Sequence, residues 1–362
     1  LYSLNGLISI IKQMNKKILA IQFKYLGDAV FITPALFSLR TKFPDAEIHL
    51  LVSNETAPLF SRIEWIDKIW AIPHKRGKHD FLRSSKIIYQ LHKINFDYSV
   101  DFVGNDRGSI LSILIGAKQR LSSTKPHPKI LQRIAYSERI NSENLSLSWV
   151  LRHLELLYLA WSIPIPSAPK TYIASNPDLE TKAKLLLNGR TVICHIGTSQ
   201  PKKEWPIEKW SELYNLATAA GYKLAFSSGP NPREQNLLLD LKHLTPDLFT
   251  LPANMDMELF LAIINASELV IVGDTGPLHF AAALGTKIIG LFGTADSVQR
   301  AAPIYSKHEI ILSNPCTCLG TLSKQSTCMS INNCMHSITS QQVFEKLQQV
   351  LPLCIDGNPP CQ

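Results

Sequence analysis

The sequence lacks the long apolar run that a membrane-spanning helix needs, since no stretch reaches about 18 uninterrupted apolar residues. Charge is also sparse: 18% of the 362 residues are charged, whereas 45% are hydrophobic. This balance favours a large buried core and excludes the collagen-like, coiled-coil and intrinsically disordered classes. The length fits two domains of ordinary size.

The features of a secreted protein are also missing. The segment from Leu1 to Met14 is mildly apolar, but no basic residue precedes its apolar part and no small-residue cleavage site follows it. Seven cysteines, an odd number, argue against a framework of paired disulfides. We therefore expect the protein to act in the reducing cytoplasm.

The excess of positive charge is modest. Lysine and arginine total 37 against 29 acidic residues, which gives a formal net charge of +8. Such an excess favours anionic partners such as nucleotides, phosphorylated sugars or an acidic membrane face, and it is too small to indicate nucleic acid. The chain has neither a Gly-x-Gly-x-x-Gly fingerprint nor a Walker motif, so a nicotinamide dinucleotide is disfavoured.

Short apolar runs alternate with helical periodicity along the whole chain. The first half predicts strands over 17–23, 47–52, 68–72 and 98–102, and helices over 28–43 and 107–115. The second half predicts strands over 191–195, 222–227, 269–272 and 287–292, and helices over 206–220, 258–265, 277–284 and 340–351. This alternation predicts an α/β fold with doubly wound parallel sheets.

A proline-rich stretch divides the two halves. Four prolines lie between Ile163 and Pro177, a composition typical of a linker. We therefore predict an N-terminal domain over 1–165, a C-terminal domain over 166–345 and a tail over 346–362. Two α/β domains of similar size are expected to face each other across a cleft, where ligands bind.

One acidic residue follows the first predicted strand. Gly27 permits a tight strand-to-helix turn, which places Asp28 near a helix N-terminus, where a carboxylate is stabilised and accessible. Two interpretations stay open. Asp28 is either the N-cap of the helix or a general base that reaches a substrate hydroxyl.

Two loops of the second half combine small polar residues with glycine and either lysines or a histidine. The loop from His195 to Pro206 offers hydroxyls, turn amides and lysines at a helix start, which together can bind an anion. The segment from Gly273 to Gly285 places a glycine and a histidine at another helix start and predicts a phosphate cradle without the Walker lysine. A solvated loop and a helix cap with a buried histidine are the respective alternatives.

The segments KYLGDAVFITPAL, HIGTSQPKKEWPIEKW and GDTGPLHFAAALG together resemble glycosyltransferase family 9, the ADP-heptose:lipopolysaccharide heptosyltransferases. The resemblance spans about residues 17–345. It implies the GT-B architecture, in which two Rossmann-like domains flank the active site, the N-terminal domain binding the acceptor and the C-terminal domain the nucleotide sugar. It also implies inverting transfer of heptose from ADP-heptose to a lipopolysaccharide core or related glycan.

The resemblance assigns roles to individual residues. It makes Asp28 the catalytic base. The donor-binding residues that it implies are Thr198, Ser199, Lys203, Glu234, Asp274, Thr275, Gly276 and His279, with Glu234 in a segment whose spacing departs from the family pattern. From their place after a predicted strand, Asp101, Asn105 and Arg107 are candidate acceptor contacts, with surface capping as the alternative.

No obligatory cofactor or metal is expected. Lys203 and a helix N-terminus can neutralise a departing diphosphate in place of Mg²⁺, and the chain has no Asp-x-Asp motif. One alternative is a zinc site formed by the cysteines at positions 316, 318, 328 and 334. These cysteines lack paired Cys-x-x-Cys spacing, so the default interpretation is a structural loop. The expected partners are the nucleotide sugar, a lipid-linked glycan acceptor and the anionic inner face of the cytoplasmic membrane, without nucleic acid.

Two other functions on the same fold stay open. A sugar-nucleotide epimerase or hydrolase needs no acceptor, and a non-catalytic nucleotide-sugar-binding protein needs Asp28 only as a cap. The presence of Asp28, Lys203 and His279 together weighs against the binding protein.

Overall fold

The computed structural model describes residues 16–73, 78–293, 295–314 and 334–353. The chain divides into two compact units, Leu1–Ala174 and Ser175–Gln362. Each unit contains one parallel sheet. The division falls inside the proline-rich stretch, closer to its end than the predicted boundary at 165.

The first unit has a six-stranded parallel sheet. Its strands are β1 (Lys17–Ile21), β2 (Glu47–Ser53), β3 (Lys68–Ile72), β4 (Tyr98–Asp101), β5 (Gln119–Thr124) and β6 (Glu138–Asn141). Its helices are α1 (Leu26–Val30), α2 (Thr33–Lys42), α3 (Lys78–Ile94), α4 (Asp106–Ile115), α5 (Ile130–Ala135) and α6 (Trp149–Trp161). The strand order is β3-β2-β1-β4-β5-β6, so the chain changes direction across the sheet between β1 and β4.

The centre of this sheet is apolar because helices cover a parallel sheet on both faces. In β1, the residues from Ile18 to Ile21 are completely buried. The parallel register places Ile21 beside Leu51 of β2 and Asp101 of β4. The carboxyl ends of β1 and β4 are therefore neighbours at the point where ligands bind in doubly wound sheets.

The predicted continuous helix over 28–43 is wrong, because α1 ends at Val30 and α2 begins at Thr33. Pro34 has no N–H to donate to the carbonyl of Val30, four residues earlier, as a continuous helix would require. The hydroxyl of Thr33 donates to that carbonyl instead, at 2.9 Å. The break leaves Asp28 on a short separate turn.

The second unit has a five-stranded parallel sheet. Its strands are β7 (Val192–His195), β8 (Leu224–Ser227), β9 (Leu269–Gly273), β10 (Lys287–Phe292) and β11 (His308–Leu312). Its helices are α7 (Glu180–Leu187), α8 (Ile207–Ala219), α9 (Pro232–Leu244), α10 (Met257–Ala266), α11 (Gly276–Leu284), α12 (Ala295–Ala301), α13 (Cys334–Ser337) and α14 (Ser340–Val350). The order β11-β10-β9-β7-β8 places the change of direction between β7 and β9.

The last helix belongs to the second unit. Val343 and Leu347 of α14 are fully buried in the same core as strands β7 and β8. The Tyr222 hydroxyl donates to the carbonyl of Leu351 at 2.7 Å, and Lys287 donates to the carbonyl of Val350 at 3.1 Å. The tail predicted from residue 346 therefore begins inside a helix, and its part beyond 353 lies outside the described residues.

Within the described ranges, no helix combines the length and the apolar character needed to cross a membrane.

Candidate active site

The loop after β1 presents Asp28 at the sheet edge. Tyr25 occupies the N-cap position of α1, so the interpretation of Asp28 as the N-cap is wrong. Asp28 lies in the first turn of α1 with a partly exposed side chain. The buried Gln22 amide donates to the backbone carbonyl of Asp28 at 3.2 Å and ties the loop to the end of β1. The carboxylate thus has a fixed backbone and access to solvent.

Two cations lie against the indole ring of Trp149, and one of them, Lys24, interacts with Asp28. The Lys24 Nζ is 4.0 Å from the ring centroid of Trp149, at the start of α6, and the Arg152 Cζ is 5.7 Å from the same centroid. Burial lowers the pKa of Lys24, the charge of Asp28 opposes this shift, and the charge of Arg152 adds to it. The charge of Lys24 therefore interacts with the positive charge of Arg152 and with the negative charge of Asp28.

A buried histidine anchors the start of α6 to the sheet. The ring centroid of His153 is 5.1 Å from that of Phe102, directly after β4. Burial lowers the pKa of His153 to about 3, and the charges of Lys24 and Arg152 contribute to the shift. His153 is therefore neutral at ordinary pH and holds α6 against the carboxyl end of β4.

The carboxylate of Asp101 is in the interior, with the residue only 1% exposed. It accepts hydrogen bonds from the Tyr136 hydroxyl at 2.5 Å and from the backbone N–H of Val103 at 2.9 Å. A Cβ atom on Gly108 would lie 1.9 Å from the Asp101 Oδ2. Burial raises the pKa of Asp101. These contacts argue against the predicted acceptor contact at Asp101 and give it a structural role.

The other two acceptor candidates differ from each other. Asn105 is the N-cap of α4, and its side chain accepts from the backbone N–H of Gly108 at 2.9 Å, as the capping alternative expected. Arg107 lies with its Cζ 4.2 Å from the ring centroid of Phe23 and donates to the carbonyl of Pro73 at 2.6 Å. Arg107 is thus held by its guanidinium against the loop after β1.

The second unit brings the two predicted donor loops together, because β7 and β9 are adjacent. The Lys203 Nζ, on a 3₁₀ turn after β7, lies 2.5 Å from the Asp274 Oδ2, directly after β9. These side chains are 24% and 11% exposed. The pair therefore links the two loops and stays accessible from solvent.

The loop after β7 is held by its own hydroxyl. The buried Thr198 donates from Oγ1 to the carbonyl of Gln200 at 2.7 Å, whereas Ser199 is exposed. A Cβ atom on Gly273 would lie 3.3 Å from the Thr198 Cγ2, so the glycine allows the loop to pack closely against β9. Thr198 shapes the turn, and Ser199 faces solvent.

The start of α11 follows Asp274. Thr275 is the N-cap and makes no side-chain capping bond, and Gly276 is the first helical residue. His279, one turn later, is 6% exposed. Burial lowers its pKa to about 4, with Asp274 opposing the shift and Lys203 adding to it. His279 is therefore a neutral hydrogen-bonding group at ordinary pH.

Glu234 lies buried between the loops after β7 and β8. Its carboxylate accepts from the backbone N–H of Gly229 at 2.9 Å and from the Asn231 side chain. Cβ atoms on Gly197 and Gly229 would lie 2.1 and 2.2 Å from the Glu234 Oε2. Burial raises the pKa of Glu234. These contacts indicate a loop-positioning role, and the nucleotide contact stays a prediction.

Arg233 was not among the residues predicted from the sequence. Its guanidinium donates to the Glu204 carboxylate and to the backbone carbonyl of Thr198. Arg233 therefore ties the start of α9 to the loop that carries Lys203. Four residues in the same unit as Asp28 were not predicted either: Lys24, Trp149, Arg152 and His153. The Trp-x-x-Arg-His spacing, which places three side chains on one helical face, is the signal available for the last three.

No group of three histidine, cysteine, aspartate or glutamate residues able to hold a metal occurs in the part of the chain that the structure describes. Cys316, Cys318 and Cys328 lie outside that part, and Cys334 is described only as the first residue of α13. The zinc alternative for these cysteines stays untested.

Comparison with known proteins identifies relatives along most of the chain. The model of glycosyltransferase family 9 (heptosyltransferase) matches residues 84–331. The lipopolysaccharide heptosyltransferase 3 of Escherichia coli is 25% identical over 289 residues, which cover 76% of this chain and 83% of that protein. Asp28 precedes the region matched by the family model.

Solved structures share the fold. A glycosyl transferase family 9 structure from Veillonella parvula has a TM-score of 0.77 at 17% identity, covering 93% of this chain and 97% of that chain. The E. coli ADP-heptose lps heptosyltransferase II has a TM-score of 0.74 at 17% identity, covering 92% and 98%. The predicted α/β class and GT-B fold are confirmed. This chain belongs to glycosyltransferase family 9 (heptosyltransferase), and it is a glycosyltransferase.

Proposed function

We propose that this enzyme transfers heptose from ADP-heptose to a sugar hydroxyl of a lipopolysaccharide core or related glycan, with inversion at the anomeric carbon. One observation carries the proposal: in each sheet, candidate residues follow the strands at which the strand order reverses. Asp28 follows β1 in the first sheet, and the Lys203–Asp274 pair joins the loops after β7 and β9 in the second. Family membership and the names of the relatives support heptose as the transferred sugar.

The second unit supplies the donor site in this proposal. An ammonium group has three N–H donors, so Lys203 can keep its ion pair with Asp274 and still donate a hydrogen bond to a diphosphate. The backbone N–H groups at Thr275 and Gly276, at the start of α11, favour negative charge in the same place. The neutral His279 and the exposed Ser199 add uncharged hydrogen-bonding groups.

The first unit supplies the acceptor and the base. The acceptor oxygen attacks the anomeric carbon and forms the new C–O bond while the bond to the diphosphate oxygen breaks. Asp28 takes the proton of the attacking hydroxyl, and ADP leaves as an anion stabilised by Lys203 and the start of α11. A single displacement inverts the configuration and needs no covalent enzyme intermediate.

The acceptor and the site of action follow from the same proposal. In this proposal Arg107, at the start of α4 and against the ring of Phe23, contacts an anionic group of the acceptor. The net charge of +8 suits a lipid-linked acceptor presented at the cytoplasmic face of an anionic membrane. The transfer requires no metal, because the cation and the helix start already neutralise the leaving group.

A coupled assay of ADP release tests the base. Purified protein receives ADP-heptose with and without a deacylated core acceptor, and Asp28→Asn is compared with Asp45→Asn, an exposed control outside the site. We expect acceptor-dependent ADP release that falls at least about 100-fold in Asp28→Asn and stays normal in the control.

Other results separate the alternatives. ADP release at the same rate with and without the acceptor indicates a hydrolase. Conversion of the sugar without ADP release indicates an epimerase. Binding of ADP-heptose without turnover indicates a binding protein. Full activity in Asp28→Asn contradicts the assignment of the base.

A further inference from the structure

Two cations to which the family resemblance assigns no role lie against one indole ring, and one of them, Lys24, interacts with the proposed base. We propose that Lys24 and Arg152 form a subsite for an anionic group of the acceptor, a carboxylate or a phosphate, close to the hydroxyl that Asp28 deprotonates. This subsite rests on the proposed function and specifies the chemistry of the acceptor that the same site takes.

The indole ring of Trp149 organises the subsite. The Lys24 Nζ lies 4.0 Å from the ring centroid and the Arg152 Cζ lies 5.7 Å from it. Trp149 and Arg152 are three residues apart in α6, so their side chains share one helical face. The ring therefore holds a cation from the loop after β1 near a cation from the first turn of α6.

The cluster is accessible to a ligand and partly shielded from water. The side chains of Lys24, Trp149 and Arg152 are all intermediate in exposure. Burial and the charge of Arg152 lower the pKa of Lys24, whereas the charge of Asp28 opposes this shift, so the two cations repel each other beside a carboxylate. A bound anion would remove this repulsion, so the arrangement favours occupation by a negative group.

The surroundings add positive potential. The first turn of α6 carries the positive end of the helix dipole, and its N-cap Ser148 makes no side-chain capping bond. His153, buried between the cluster and Phe102, is neutral and adds no charge. Together with Asp28, the cluster brings two cations and one carboxylate to the edge of the sheet where the acceptor hydroxyl must lie.

The position of Lys24 and Arg152 indicates that they bind the acceptor and not the donor. Lys203 and the start of α11 already provide the cation and the helix amides that a donor diphosphate needs. Lys24 and Arg152 belong to the first unit, and Lys24 interacts with Asp28, the group that acts on the acceptor in the proposed function. A cation pair beside the base therefore selects an acceptor whose anionic substituent neighbours its reactive hydroxyl.

Steady-state kinetics with varied acceptor and saturating ADP-heptose test the subsite. We expect Lys24→Met and Arg152→Met each to raise the acceptor KM by about tenfold or more, with a smaller change in kcat, because each removes a charge-assisted hydrogen bond. Lys24→Arg and Arg152→Lys retain the charge and are expected to recover most of the affinity.

Lys68→Met is the matched control. The Lys68 Nζ lies 4.3 Å from the ring centroid of Trp70 in the same unit, away from Asp28. We expect its acceptor KM to equal that of the wild type. Near-normal acceptor KM in folded Lys24→Met and Arg152→Met, while the wild type transfers heptose, overturns the subsite and leaves the proposed function intact.

Modified acceptors distinguish the two anions. If the group is a phosphate, phosphatase treatment of the acceptor raises the wild-type KM and abolishes the difference between wild type and Lys24→Met. If it is a carboxylate, reduction of that group to an alcohol has the same effect. Either result supports the subsite, whereas a KM independent of both modifications contradicts it.

Titration with inorganic phosphate tests the subsite even if no heptose transfer is found. The experiment uses Lys203→Met, in which the cation of the donor site is removed. We expect calorimetric phosphate binding to persist in this variant and to disappear when Lys24→Met is added. Equal binding in the single and the double variant overturns the subsite.

Discussion

The ion pair between Lys203 and Asp274 is expected to stabilise the second unit and to bind the donor diphosphate. Its atoms lie 2.5 Å apart, and its side chains are 24% and 11% exposed. Exposed pairs contribute up to about 1 kcal/mol, whereas removing one partner of a buried pair costs about 3–5 kcal/mol. This intermediate burial predicts a loss of about 2 kcal/mol in the free energy of unfolding for Lys203→Met or Asp274→Asn alone.

A double-mutant cycle measures the coupling. Urea unfolding of the two single variants and of the double variant is expected to give a coupling of about 1 kcal/mol, because the double variant leaves no uncompensated charge. Lys203→Met is also expected to weaken ADP binding by about tenfold or more, through the loss of charge-assisted hydrogen bonds to the diphosphate.

Lys182→Met, which removes an exposed cation of α7 in the same unit, is the control and is expected to change neither quantity by much. Additive losses of stability in the cycle would refute the coupling of the two loops. ADP affinity equal to that of the wild type in Lys203→Met would refute the diphosphate role.

Three further predictions concern buried polar groups. Burial lowers the pKa of His195 and His279 to about 4, so on acidification the unfolded chain takes up protons at these residues before the folded chain does. The free energy of unfolding should therefore fall by about 3 kcal/mol per histidine between pH 6.5 and pH 4. A free energy of unfolding that does not change over this range contradicts the prediction. Gly229→Ala places a Cβ 2.2 Å from the Glu234 Oε2 and should lower the free energy of unfolding in urea by about 1–3 kcal/mol. An unchanged free energy of unfolding would contradict this prediction. Tyr136→Phe removes a donor to a buried carboxylate and should lower the same free energy by about 1–3 kcal/mol, whereas unchanged unfolding would show that the bond is dispensable.

The central strands of both sheets could be predicted from the sequence. Lys287–Phe292 agrees to the residue, because short apolar runs mark strands that are covered on both faces. The partly buried edge strand Lys68–Ile72 agrees as well. The opposite side of the first sheet was missed, since Gln119–Thr124 and Glu138–Asn141 are polar and lack such a run. The break before Thr33 was missed as well, because apolar periodicity continues across it.

The two proposed donor loops could be found because each is local in sequence, with glycine, a hydroxyl and a lysine or histidine within a few positions. The surroundings of Asp28 could not be found, because the start of α6 reaches Lys24 only through the fold. For the same reason Asp101 was assigned to the acceptor. Nothing near it in sequence shows that Tyr136 covers its carboxylate. Sequence therefore identifies local loops, whereas burial and long-range contacts require the structure.

Mass spectrometry of the acceptor tests the central claim most directly. The purified protein is incubated with ADP-heptose and a deacylated core acceptor, and the acceptor is weighed before and after the reaction. We expect the acceptor to gain the mass of one heptosyl residue, matched by an equal amount of released ADP. An acceptor of unchanged mass in the presence of bound ADP-heptose would contradict heptosyl transfer to this class of acceptor.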